Sequence, residues 1–167
     1  MDPQERFLAE LEAHKKILYK VASLYCANAQ DRQDLMQETA VQLWRSHGRF
    51  DGRSSFATWM YRVALNVAIS WVRDDSRRRR HAATEADVIE TALADEATHD
   101  APPHLRVFLT QLLASLDELD RALVLLYLEG HDQDAIAAIL GLTATNVATK
   151  INRIKTRLQR EHGGSGT

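Results

Sequence analysis

The chain has 167 residues, 45% of them hydrophobic, which allows one domain or two small ones, each near the lower limit for a self-sufficient core. A single cysteine, Cys26, excludes an internal disulfide and, beside Leu24 and Tyr25, reads as a packed thiol of a reducing compartment. A net charge of −2 argues only weakly against nucleic acid, because its distribution is uneven.

Seven Gly and three Pro among long stretches of Ala, Leu, Arg and Glu, with no strand-like alternation, predict an all-α fold. The first six residues lack a basic-then-apolar leader, and the longest apolar run, Ala122 to Leu128, is far short of the roughly 20 residues of a membrane span. A cytoplasmic protein without membrane insertion is expected.

Composition breaks once. Residues 73–80 carry five arginines against two aspartates, whereas 81–104 carry six acidic residues, no Lys or Arg, and the pair Pro102-Pro103. Two small helical domains, 1–80 and 105–162, joined by an acidic linker, 81–104, and followed by a flexible tail, 163–167, are therefore predicted. Residues 141–167 again hold five basic side chains against one acidic, so two basic patches flank acidic material.

In chain order, residues 31–46 form the first clear helix, with Met36, Ala40, Leu43 and Trp44 at i, i+4, i+7 and i+8 as the expected buried stripe. Asp34, Glu38, Gln42 and Arg45 fall on the other side. A loop follows from Ser46 to Arg53, and Ser54 or Ser55 is placed to cap the next helix. There Phe56, Trp59, Met60, Val63, Val67 and Trp71 keep helical spacing and are read as core; Trp59 and Trp71 are taken first as packing residues. Arg62, Asn66, Arg73, Arg77 and Arg80 fall within about 60° of one another at about 100° per residue, a basic stripe with one amide opposite the core. The pair Asp74-Asp75 is an alternative end of that helix, which would put Arg77 to Arg80 on an arm instead.

Leu109 to Glu129 supplies apolar helical material closed by Gly130. Asp132 caps a short helix carrying Ile136, Ala137, Ile139 and Leu140, Gly141 makes the turn, and Thr143 caps a second helix with Val147, Ile151, Ile154 and Leu158 at i, i+4, i+7 and i+11. This is helix-turn-helix spacing. With Val147 buried, Thr145, Thr149, Asn152, Arg153 and Thr156 point outward and Lys150, Lys155 and Arg157 flank them. Amides, hydroxyls and guanidinium groups can read base edges, and lysines suit phosphates.

Three stretches, DLMQETAVQLWR at 34–45, GRFDGRSSFATWMYRVALNVA at 48–68 and LEGHDQDAIAAILGLTATNVATKINRIKTRL at 128–158, closely resemble extracytoplasmic-function (ECF) sigma factors. These keep only sigma regions 2 and 4. The resemblance implies a factor that binds RNA polymerase core and directs it to promoters, with region 2 in the first domain and region 4 in the second. Asp34, Gln37, Glu38 and Arg45 would dock on the clamp helices of the largest polymerase subunit, and the flap would be a further polymerase contact. The loop residues Arg49, Phe50, Asp51, Gly52, Arg53, Ser54 and Ser55, with Trp59, Arg62, Asn66, Arg73 and Arg77, would hold the opened minus-ten element, whose unstacked bases need loop pockets and aromatic or basic side chains. Thr143, Thr145, Thr149, Lys150, Asn152, Arg153, Lys155 and Arg157 would face the minus-thirty-five element in the major groove. The chain departs from the family at Ala148, where a basic residue is common, and at Lys150, where arginine is. Family members are commonly restrained by an anti-sigma factor, an expected partner here. The acidic linker residues Glu85, Asp87, Glu90, Asp95, Glu96 and Asp100 are expected to fold back on Arg73, Arg77 and Lys150 in the free protein and compete with DNA.

An enzyme is the first rival. His131-Asp132 and the carboxylates Asp31, Asp34 and Glu38 superficially suggest metal chemistry, but no histidine lies near those carboxylates in sequence, and no phosphate loop or nucleophile motif is present. No catalysis, metal or cofactor is expected. A stand-alone helix-turn-helix regulator explains residues 105–160 but leaves the basic stripe and the loop of the first domain without a role. A helical adaptor has no use for two basic patches.

Overall fold

The structure, a computed structural model, describes residues 2–26, 28–74 and 102–162; the acidic linker expectation and Arg77 to Arg80 lie outside these residues. Among the described residues there is no strand. The helices are α1 (Pro3–Ala13), α2 (Lys15–Tyr25), α3 (Ala29–Ser46), a 3-10 turn (His47–Arg49), α4 (Phe56–Asp74), α5 (Pro103–Ala114), α6 (Glu118–Leu128), α7 (Gln133–Leu140) and α8 (Ala144–His162). The chain divides into two compact units between Glu118 and Leu119.

In the first unit α2, α3 and α4 pack on one another. Helix α4 brings Met60, Ala64, Leu65 and Ala68, all without solvent exposure, and α2 brings Val21, Ala22, Leu24 and Tyr25. Cys26 is buried and in no disulfide, as its neighbours suggested. The core faces of two helices differ from the sequence-based expectation. On α3 the buried residues are Leu35, Thr39 and Leu43, one step round from the expected stripe; Met36 and Ala40 sit at its half-buried edge. Trp44 is 42% exposed. Thr39 can be core because its hydroxyl donates to the carbonyl of Leu35 at 2.8 Å, so no polar group is stranded. On α4 only Met60 of the expected stripe is buried, and Phe56, Trp59, Val63, Val67 and Trp71 are half-buried. The small residues Ala64 and Ala68 carry the close contact, and the larger aromatics are pushed to the margins.

Pro102 and Pro103 begin α5, with Pro103 at the first helical position where its missing N–H costs nothing. The apolar stretch from Leu109 to Glu129 is two helices, interrupted at Ser115 to Asp117. In the second unit the local signals hold. The backbone N–H of Ala135 donates to Asp132 Oδ1 at 2.8 Å, and that of Asn146 to Thr143 Oγ1 at 3.0 Å. Gly141 turns the chain at φ 70°, a left-handed conformation, and the N–H of Leu142 reaches back to the carbonyl of Ala137 at 2.9 Å. Ile136, Ile139, Val147 and Ile151 are buried, which seats α7 on α8.

Two outcomes check this account. Leu43→Ala, at a side chain with no exposure, is expected to cost about 2–5 kcal/mol and Met36→Ala distinctly less. Urea denaturation that ranks them in reverse would return the core to the face inferred from spacing. In the second unit, Gly141→Ala should cost about 1–2 kcal/mol from the left-handed turn alone, read as a lowered unfolding midpoint.

Candidate nucleic-acid interface

Asp34, Gln37, Glu38 and Arg45 are all exposed on α3. Asp34 and Glu38 line a groove of about 580 Å³ together with Asn66, Ser70, Trp71 and Asp74 of α4. Gln30 donates to Asp34 Oδ1 at 3.0 Å and Gln42 to Glu38 Oε1 at 3.2 Å, each one helical turn away, so both carboxylates are oriented by amides of their own helix. Gln37 instead lines an apolar groove of about 440 Å³ with Leu18, Tyr19 and Met36. Arg45 belongs to neither lining.

The loop before α4 is short and internally bonded. Asp51 accepts the backbone N–H of Arg53 at 3.0 Å on Oδ1 and the Arg53 Nε at 3.1 Å on Oδ2, around Gly52 at φ 78°. Such a turn suits Asp followed by a residue free to take positive φ. Ser55, rather than Ser54, caps α4: its Oγ accepts the N–H of Thr58 at 3.1 Å and donates to the Thr58 hydroxyl at 3.0 Å. Arg49, Asp51, Gly52, Arg53, Ser54 and Ser55 are exposed and Phe50 is half-buried.

Phe50 rests on an aromatic base, 5.2 Å from the Trp59 ring and edge-on to Phe56 at 5.9 Å. Phe56 meets Phe7 of α1 at 6.3 Å, and Phe7 meets both Trp44 at 5.4 Å and His47 at 4.8 Å, which stack on each other at 4.6 Å. Phe7 and His47 were missed by the sequence reading. Phe7 sits beside Leu8 and one turn before Leu11, but its ring partners are more than 35 positions away, so the local spacing does not name them. Arg62, Asn66 and Arg73 are exposed on α4, as the angular argument required. Asn66, however, opens onto the groove with Asp34, Glu38 and Asp74, at the border between an acidic and a basic surface.

On α8, Thr143, Thr145, Thr149, Asn152, Arg153 and Thr156 are exposed, opposite buried Val147 and Ile151. Thr149, Asn152, Arg153, Thr156, Arg157 and Arg160 line one shallow groove of about 480 Å³. Arg160 extends the expected set by one turn. The flanking cations are engaged: Lys150 Nζ is 3.1 Å from Asp120 Oδ1, Lys155 Nζ lies 5.3 Å from the centre of the Tyr127 ring, and Arg157 Nε donates to Glu161 Oε1 at 3.1 Å. Asp120, 30 positions from Lys150, also left no sequence signal. Among the described residues no three His, Cys, Asp or Glu side chains are grouped to hold a metal ion, and no helix is long and apolar enough to cross a membrane.

A helix-turn-helix whose second helix presents hydroxyl, amide and guanidinium groups defines a DNA-reading protein. Comparison with known proteins narrows the class. The sigma-70 region 2 family model matches residues 11–78 and the sigma-70 region 4 model residues 109–158. The RNA polymerase sigma-H factor of Pseudomonas aeruginosa is 29% identical over 162 residues, covering 92% of this chain and 83% of that protein. The ECF RNA polymerase sigma-E factor of Haemophilus influenzae is 29% identical over 161 residues, covering 85% and 81%. Among solved structures, the sigma factor RpoE of Bartonella quintana, in complex with the anti-sigma factor NepR, matches with a TM-score of 0.69 at 20% identity, covering 93% of this chain and 96% of that one. CnrH, in complex with the cytosolic domain of CnrY, matches with a TM-score of 0.60 at 22% identity, covering 96% and 90%. The chain belongs to the ECF group of the sigma-70 family and is a transcription initiation factor that directs RNA polymerase to promoters.

The outward face of α8 generates one prediction. Arg153→Ala should cost about 1–3 kcal/mol at a preferred upstream site and relax preference at one base pair, the loss of a bidentate base contact. Profiling the variant on a promoter library checks this, and an unchanged preference removes Arg153 as a reader.

Proposed function

We propose a division of labour along the chain, without catalysis, cofactor or metal, in the cytoplasm. Residues 1–80 hold polymerase core and the opened minus-ten element, residues 105–162 hold the minus-thirty-five element and the polymerase flap, and 81–104 connect them. Asp34, Gln37, Glu38 and Arg45 contact the clamp helices of the largest subunit. A groove edged by Asp34, Glu38 and Asp74 suits a basic partner and disfavours phosphate, which argues for polymerase rather than DNA on that side.

The loop from Arg49 to Ser55, with Trp59, Arg62, Asn66, Arg73 and Arg77, receives single-stranded DNA. Aromatic stacking and cationic side chains replace the base stacking that melting removes. On α8, Thr143, Thr145, Thr149, Asn152 and Arg153 face bases while Lys155 and Arg157 hold phosphates. The observation that carries the reading is the two-faced α8, polar and exposed on one side and buried at Val147 and Ile151 on the other, set by caps on both helices of its motif. Two of the solved structures that share the fold are complexes, one with the anti-sigma factor NepR and one with the cytosolic domain of CnrY, and the first supports an anti-sigma factor as a partner of this chain also.

Run-off transcription with purified core on genomic fragments tests the whole reading, and a chain that binds DNA but fails to retain core would instead be a stand-alone regulator. Arg62→Ala combined with Asn66→Ala should lower open-complex formation more than core binding. Permanganate footprinting that finds unchanged melting in this folded double variant would remove the assignment of that face.

A further inference from the structure

We propose that Lys150 is a positioning residue of the DNA-reading helix, acting through Asp120 rather than on phosphate; this rests on the reading of α8 as the helix that faces DNA. Its neighbours in sequence, Thr149 and Ile151, point outward and inward respectively, so Lys150 leaves the helix on its flank. From there its Nζ reaches Asp120 Oδ1 on α6 at 3.1 Å, and the two side chains are only 23% and 25% exposed. Arg153, by contrast, is open to solvent, and Asn152, Arg153, Thr156 and Arg160 share the outward groove that Lys150 does not line.

The chemistry favours keeping the pair. To reach phosphate, Lys150 would abandon a contact in which both side chains are about three-quarters covered, and a partly enclosed ion pair is costlier to break than an exposed one. Lys155 differs, because it lies over the Tyr127 ring yet stays exposed and retains its reach to phosphate. The ammonium of Lys150 thus ties α8 to α6, holding the register in which Asn152 and Arg153 are presented. Losing it should disturb several base contacts together, whereas losing a phosphate contact weakens all sequences alike.

Holoenzymes assembled from core and full-length chain are to be compared on a randomised duplex DNA library and in salt titrations on the fragments so selected. The variants are Lys150→Met, Asp120→Asn and the charge exchange that combines Asp120→Lys with Lys150→Asp. Lys150→Met and Asp120→Asn are each expected to blur preference at more than one base position with the salt dependence unchanged, and the exchange to recover the original profile. Three results overturn the proposal: a profile indifferent to Lys150→Met; a slope of log affinity against log salt that falls by about 0.9 with the profile preserved, the mark of one lost phosphate contact; or an exchange variant that is folded by circular dichroism and binds worse than Lys150→Met. A wild-type holoenzyme that enriches no upstream element would instead sink the assignment of α8 to DNA, separately from the role of Lys150.

Discussion

The contact on which the first unit depends is the seating of α4 against α2 and α3 through two alanines, Ala64 and Ala68, neither of which has any exposed surface. Small side chains let helix backbones approach, and Met60, Leu65 and Val72 of α4 are buried, as are Leu24 of α2 and Leu35 and Leu43 of α3. That choice of face decides everything else on the helix. Arg62, Asn66 and Arg73 are left outside, Trp71 turns to the groove shared with α3, and the first turn delivers Phe56 and Trp59 to the aromatic base under the loop. One rotational setting of a single helix thus places the acidic groove and the aromatic base of the loop at once.

Some of this was legible in the sequence and some was not, and the difference follows the range of the interactions. Ser55, Asp132, Thr143 and Gly141 act within three or four residues of themselves, so their positions could be read from local chemistry alone. The outward residues of α8 were also legible, because its apolar repeat is clean. The buried faces of α3 and α4 were misplaced by one or more positions around the helix. Spacing arguments weigh large apolar residues, and here the core uses Thr39, whose hydroxyl is satisfied by its own helix, and alanines that report little by themselves. The attachments of Phe7 and Asp120 join distant parts of the chain, and no periodicity within one element can reveal them.

The two units use charge differently. In the first, carboxylates on α3 are steadied by amides one turn away, which keeps a negative groove in a defined shape without neutralising it. In the second, basic residues of α8 are met by acids or an aromatic ring: Lys150 by Asp120, Arg157 by Glu161, Lys155 by Tyr127. The exposed pair Arg157 and Glu161 contributes little to stability, on the order of 0–1 kcal/mol, and is easily exchanged. The more enclosed pair is harder to exchange, so burial separates cations free to leave for a ligand from the one that holds the scaffold.

The turn at Asp51 has a further consequence. Its carboxylate engages both the backbone and the guanidinium of Arg53, a side chain that is otherwise almost wholly in solvent. Arg53 therefore carries its own counter-ion. Were a phosphate to take the place of Asp51 on Arg53, the cation condensed on that phosphate would be released while the vacated carboxylate gathered one of its own. The entropy that usually drives a cation onto a polyanion would be largely offset at this position, and such an exchange would be correspondingly insensitive to salt. A guanidinium already paired in this way exerts little indiscriminate attraction on any polyanion that passes.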